Sequence, residues 1–187
     1  MTRIILIFGA AAGLTVAVPM CLLVANAEPG SAATSHFTGY LVMLLALSLI
    51  FFGVKRLRDR ELGGVIRFVP ALLAGLGISA VAGVIYVIGW EITLAVTDFA
   101  FVDSYSIAAV EAARAKGASA AEVEAVVAKM AEFRRQYANP FFRLPITFIE
   151  IFPVGLLISL VSAALLRNSR FLPARPPESH HRRADFS

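Results

Sequence analysis

Four stretches of the chain are apolar around their whole circumference when read as helices: Ile4 to Ala25, Phe37 to Val54, Phe68 to about Ala95, and Leu144 to Leu166. Each meets the requirement of roughly 20 residues for crossing a hydrocarbon core about 30 Å thick. None carries the one-sided stripe of an amphipathic helix in water. In a bilayer such a helix satisfies its own backbone and turns its side chains to lipid or to neighbouring helices. The pattern predicts an all-α polytopic membrane protein, a four-transmembrane-helix bundle.

Between the third and fourth runs the periodicity changes. Residues from Asp98 to Arg143 are too many for a connector and carry helix signals. Lys116-Gly117 reads as a helix end, with a cation in the last turn and glycine beyond it. Ser119 and Glu122 have the spacing of a capping box. Val123, Val126, Val127, Met130, Phe133 and Tyr137 then form one stripe, and Asn139-Pro140 stops the helix. An extramembrane helical hairpin over about 98–140 follows, either packed as a cap on the bundle mouth or free to dock a partner or the membrane surface. Residues 1–167 are expected to form a single membrane domain. The tail over 168–187, with Pro173, Pro176, Pro177 and His180-His181-Arg182-Arg183, reads as a disordered basic cytoplasmic tail.

Composition agrees with lipid as the solvent: 58% of the residues are hydrophobic, 16% are charged and the mean hydropathy is +0.77. Of the 17 Lys and Arg, eleven fall on one side of this topology: Arg3, Lys55, Arg56, Arg58, Arg60, Arg67, Arg167, Arg170, Arg175, Arg182 and Arg183. The other six lie in the long third loop, where charge decides less, so both termini and the short basic loop are expected in the cytoplasm of a bacterial inner membrane. The basic excess flanks the spans and so argues orientation, not nucleic-acid binding. A competing reading takes Ala25-Asn26-Ala27 before Glu28 as a signal-peptide cleavage site, which would leave three spans; the first apolar run is longer than the usual h-region of roughly 7 to 15 residues.

Several motifs resemble a known family. They are Leu49-Ile50-Phe51-Phe52-Gly53-Val54-Lys55-Arg56 with Arg58-Asp59 and Gly63-Gly64; Tyr86-Val87-Ile88-Gly89-Trp90-Glu91 with Asp98-Phe99; and Tyr137-Ala138-Asn139-Pro140 with Thr147-Phe148-Ile149-Glu150-Ile151-Phe152-Pro153-Val154-Gly155. In that order, from about Gly39 to Leu166, the chain resembles the domain-of-unknown-function family 4199 of bacterial multi-pass membrane proteins. The resemblance implies four spans and makes cleavage after Ala27 less expected. It implies no activity, substrate or cofactor, and the first 38 residues and the tail match poorly.

Candidate chemistry is sparse. Glu91 and Glu150 are ionisable groups at membrane depth, which is costly enough to mark a site. Glu150 lies roughly 9 Å below Leu144, and the two acids could face each other. Ala71, Gly75, Ser79 and Gly83 recur every four residues in register with Val87 and Glu91, placing Glu91 on a small-residue face suited to helix contact. Pro153 cannot donate to the carbonyl of Ile149, and Thr147 adds a hydroxyl, so a cation or proton site is one reading. In the other, the acids pair with Arg143, His36 or Tyr40 and tie helices together. Trp90 and Tyr86 read as anchors in the headgroup region.

On the opposite side Lys55, Arg56, Arg58, Arg60 and Arg67 are the candidate contacts for anionic lipid headgroups; the glycines after them fit no phosphate-loop pattern. No metal site or cofactor is expected: His36 lacks companion ligands, the paired tail histidines carry little, and Cys21 is the only cysteine. No nucleophile has the setting an enzyme needs. The chain is therefore expected to be a non-enzymatic structural, binding or accessory membrane component, with a protein partner at the hairpin or a homo-oligomer as its associations. The alternatives are a small proton- or cation-linked transporter or channel subunit using Glu91 and Glu150, and third an integral membrane enzyme. Small-residue stripes at Gly9, Gly13 and Ala17 and at Gly75, Ser79 and Gly83 permit packing within or between chains.

Overall fold

A computed structural model describes residues 1–26 and 36–174. Among these the chain forms seven helices: α1 Thr2–Asn26, α2 His36–Leu47, α3 Leu49–Glu61, α4 Phe68–Val96, α5 Ala100–Ala115, α6 Ala120–Tyr137 and α7 Pro140–Leu166. Four segments are long and apolar enough to cross a membrane: Thr2–Val24, Gly39–Glu61, Phe68–Val96 and Pro140–Leu166. The expected all-helical bundle of four spans with a hairpin between the last two is what the chain adopts. Ala27, the residue before the supposed cleavage point, lies outside the described residues.

Two boundaries differ from expectation. The second span does not end at Val54 but runs as α3 through the basic run to Glu61, where Lys55 and Asp59 pair one helical turn apart. That span is broken at Ser48, whose hydroxyl bonds back to the carbonyl of Leu45 and competes with the regular ladder. The fourth span begins at Pro140, four residues before the apolar run. Asn139 caps it by accepting from the Phe141 N–H at 3.0 Å, and proline at the first helical position has no N–H to lose. The residues that stop α6 thus start α7.

The bundle is organised on α4, which packs against α1 on one side and α7 on the other. Small residues let the axes approach. On the α1 side a methyl group added to Gly13 would lie 2.8 Å from the Ile85 Cβ. On the α7 side one added to Gly75 would meet Ser159 at 2.8 Å, and one on Gly155 would overlap the Ser79 hydroxyl at 1.9 Å. Both small-residue stripes are therefore consumed inside the chain. Around them Met43, Leu47, Ile50, Val54, Ile78 and Ile151 form a core with at most 1% exposure.

The hairpin forms as its signals require. Gly117 takes φ +77°, left-handed backbone that glycine adopts without strain, at the turn between α5 and α6. Ser119 and Glu122 make the reciprocal capping box, and the bonds from Ser119 hold the Glu122 carboxyl below its usual range.

Candidate functional site

Polar and aromatic side chains converge where the hairpin meets the bundle. Arg143, in the first turns of α7, is only 7% exposed. Its Nε donates to Glu91 Oε1 and its Nη2 to Glu91 Oε2, both at 2.6 Å. Its Nη1 donates to the carbonyls of Tyr137 at 3.0 Å and Ala138 at 3.3 Å. The guanidinium also stands 5.3 Å from the centroid of the Phe99 ring. One side chain thereby joins α4, the end of α6 and the residue that opens α5. The fork geometry of arginine allows this, because it offers five donors in one plane.

Beside this pair the aromatics close a circuit. Trp90 meets Phe101 edge to face at 5.0 Å, Phe101 stacks on Tyr105 at 6.2 Å, Tyr105 meets Phe133 at 5.8 Å, and Phe133 meets Tyr137 at 5.2 Å. The Trp90 indole N–H completes it by donating to the Tyr137 hydroxyl at 2.8 Å. Trp90 and Tyr137, with Leu94 and Val102 and with Phe101 and Phe133 packed against them, make a second, smaller core under the hairpin, and Tyr105 lies at its exposed edge. Burial pushes the Tyr137 phenol above its ordinary range, against the opposing pull of its hydrogen bonds to Trp90 and Thr147.

Trp90 and Tyr86 depart from their expected role. Both are buried, at 7% and 2% exposure, because α4 is the central helix and turns this face to its neighbours. They are interior residues, not anchors directed at headgroups. Thr147 is buried; its hydroxyl donates to the Arg143 carbonyl at 3.0 Å in its own helix and also bonds with the Tyr137 phenol at the end of α6. The side chain of His36 lies outside the described residues, and Tyr40 is exposed.

The two acids are not equivalent. At about 1.5 Å per residue, Glu91 lies roughly 36 Å along α4 from Arg67, and Arg143 roughly 35 Å along α7 from Leu166, past a hydrocarbon core of about 30 Å. Glu150 lies roughly 24 Å from Leu166 on the same scale, less than the thickness of such a core. Both Glu91 oxygens are taken by Arg143. Glu150 is exposed on the bundle surface. Sequence reasoning passed over the aromatic circuit, although Phe101 with Tyr105 and Phe133 with Tyr137 each have the spacing of one helical turn.

At the other end of the bundle the five expected lipid contacts separate. Arg58 is completely buried: its Nε donates to Asp59 at 2.7 Å, its Nη1 to the Phe171 carbonyl at 2.9 Å, and its Nη2 to the Leu172 carbonyl. It cannot reach lipid, a correction to its expected role. The cause is the chain after α7, which returns over α3 and sets Phe171 edge to face against Phe51. Residues 168–174, expected as disordered tail, are thus fastened to the bundle, and the remainder of that tail lies outside the described residues. Lys55 is occupied by Asp59. Arg56, Arg60 and Arg67 are exposed. Among the described residues no group of three or more His, Cys, Asp or Glu is placed to hold a metal.

The fold and its locked hairpin define a helical bundle with four membrane-span-like helices. The chain belongs to the family described as protein of unknown function (DUF4199), whose match covers residues 6–168. That is the resemblance read from the motifs, and it reaches further than they did by taking in the first span. No curated protein and no solved structure matches the chain.

Proposed function

We propose that this chain is a non-enzymatic accessory or structural component of a bacterial inner membrane, with both termini in the cytoplasm, whose bundle holds the α5–α6 hairpin as a fixed platform for a protein partner on the outer surface. The observation that carries the reading is the bidentate Arg143–Glu91 pair, which spends the buried cation and the carboxylate nearest it on fastening the hairpin. A transport path needs polar groups through the depth of the membrane. The deeper hydroxyls of Ser159 and Ser48 instead donate to carbonyls of their own helix segments. The orientation rests on the arginines and lysine of the basic end.

A second reading, a proton- or cation-linked transporter subunit, is supported by Glu150, a carboxylate within the fourth span. Proton and cation flux in proteoliposomes, for the native chain beside Glu91→Gln and Glu150→Gln, decides between them. The proposal expects no flux above empty vesicles and lowered thermal stability in Glu91→Gln. Flux in the native chain that vanishes in a stable Glu150→Gln variant would establish transport instead.

A further inference from the structure

The basic end of the bundle holds two carboxylates among its described residues, Asp59 and Glu61. Asp59 is held by Lys55 and Arg58, and Glu61 by the Met1 amine. The acids of this end are therefore already paired: Asp59 with one cation along its helix and one buried cation, and Glu61 with the exposed Met1 amine just before α1. Apart from Arg3 on α1, which is exposed as well, Arg56, Arg60, Arg67, Arg167 and Arg170 remain exposed with no carboxylate partner among the described residues.

These five lie at the ends of helices, or in the segment after α7, on the basic side of the chain. Arg67 immediately precedes α4, and Arg167 immediately follows α7. Arg56 and Arg60 are one turn apart on α3, and Arg170 lies in the segment that Arg58 pins by the next two carbonyls. Two of the five thus flank apolar spans directly, at the depth where a span leaves the hydrocarbon and meets headgroups. Guanidinium matches a phosphate oxygen pair with two parallel N–H donors.

We infer that this end is a binding surface for anionic phospholipid, in which Arg56, Arg60, Arg67, Arg167 and Arg170 take headgroup phosphates while Arg58 and Lys55 are structural. The inference goes beyond the proposed platform role and stands without it. The buried clamp belongs to the surface only by positioning: it carries Arg170 to the same face and takes no lipid itself.

The test uses the full chain in vesicles containing spin-labelled phosphatidylglycerol or spin-labelled phosphatidylcholine at equal loading, with electron spin resonance reading the motionally restricted lipid. The native chain is expected to prefer the phosphatidylglycerol label several-fold, less so as salt shortens the screening length. R56Q/R60Q/R67Q should lose most of that preference and K55Q should keep it. Equal restriction of both labels by the native chain, or full preference in the triple variant, overturns the inference. So does loss in K55Q alone, or displacement by inorganic phosphate beyond that by chloride at equal ionic strength, which would mark a small-anion site. If the triple variant is unstable, the three single substitutions of these exposed side chains carry the same comparison.

Discussion

Arg143 and Arg58 are the same device at opposite ends of the bundle. Each is a nearly or fully buried guanidinium that meets a carboxylate on one side and two successive backbone carbonyls on the other. The difference lies in what is clamped. Arg143 holds a two-helix hairpin that has its own apolar core, whereas Arg58 holds a short non-helical segment with one aromatic contact. Losing Arg143 strands Glu91 beside the membrane and frees a large element. Losing Arg58 leaves Asp59 still paired with Lys55 and releases carbonyls that water can reach. A buried arginine is therefore worth as much as the groups it would leave behind.

The comparison breaks most sharply at Arg143. Arg143→Met should destabilise the bundle by up to about 3 kcal/mol, the low end of the cost of stripping a buried charge of its partner because Glu91 keeps 30% exposure, and should speed trypsin cleavage at Arg114 and Lys116. Equilibrium unfolding in detergent with timed proteolysis measures both, and unchanged stability would remove Arg143 as the lock. Arg58→Met should cost less and should speed trypsin cleavage at Arg167 and Arg170, which are exposed but lie in or beside the segment Arg58 fastens, while the hairpin stays resistant. Equal hairpin cleavage in the two variants would erase the distinction.

Packing between the two ends gives the next effect. Gly155→Val drives carbon into Ser79, and overfilling of this kind costs about 1–3 kcal/mol. It should lower stability without changing which trypsin sites open first. Smaller again is Trp90→Phe, which deletes the bond to Tyr137 at a cost of about 1 kcal/mol and should loosen the hairpin alone, read as faster amide exchange in α6. The smallest effect is on pH. Because the folded Tyr137 phenol is raised above its unfolded value, its contribution is complete below the ordinary phenol pKa of 10.0 and is lost as pH rises above it. Tyr137→Phe should flatten that alkaline decline of the melting temperature; an identical decline would place the titration elsewhere.

Much of this arrangement was legible before any coordinates. Hydropathy located the spans because lipid demands long apolar runs, and the hairpin showed itself through Gly117, Ser119, Glu122 and Asn139-Pro140, whose roles are local. The inward face of α4 was legible too, since Ala71, Gly75, Ser79 and Gly83 mark where helices approach. What hydropathy cannot assign is orientation among large apolar residues, because in a bilayer both sides of a helix are apolar. Trp90 and Tyr86 were misplaced for that reason. Arg58 was misread because its partners, the carbonyls of Phe171 and Leu172, come from far along the chain and carry no sequence mark. Arg143 was among the expected partners of Glu91, but its second task of holding the α6 carbonyls depends on the abrupt joint at Asn139, which only the fold supplies.

The lock at the hairpin also sets an order of events during synthesis. Glu91 is made 52 residues before Arg143. At about 5–20 residues per second it waits roughly 3–10 s for its counter-ion. Until then the guanidinium that takes both of its oxygens is absent. A chain cut short before Arg143 would therefore carry the first three spans but not the lock, and Glu91 would be left without the partner that takes its carboxylate in the complete bundle.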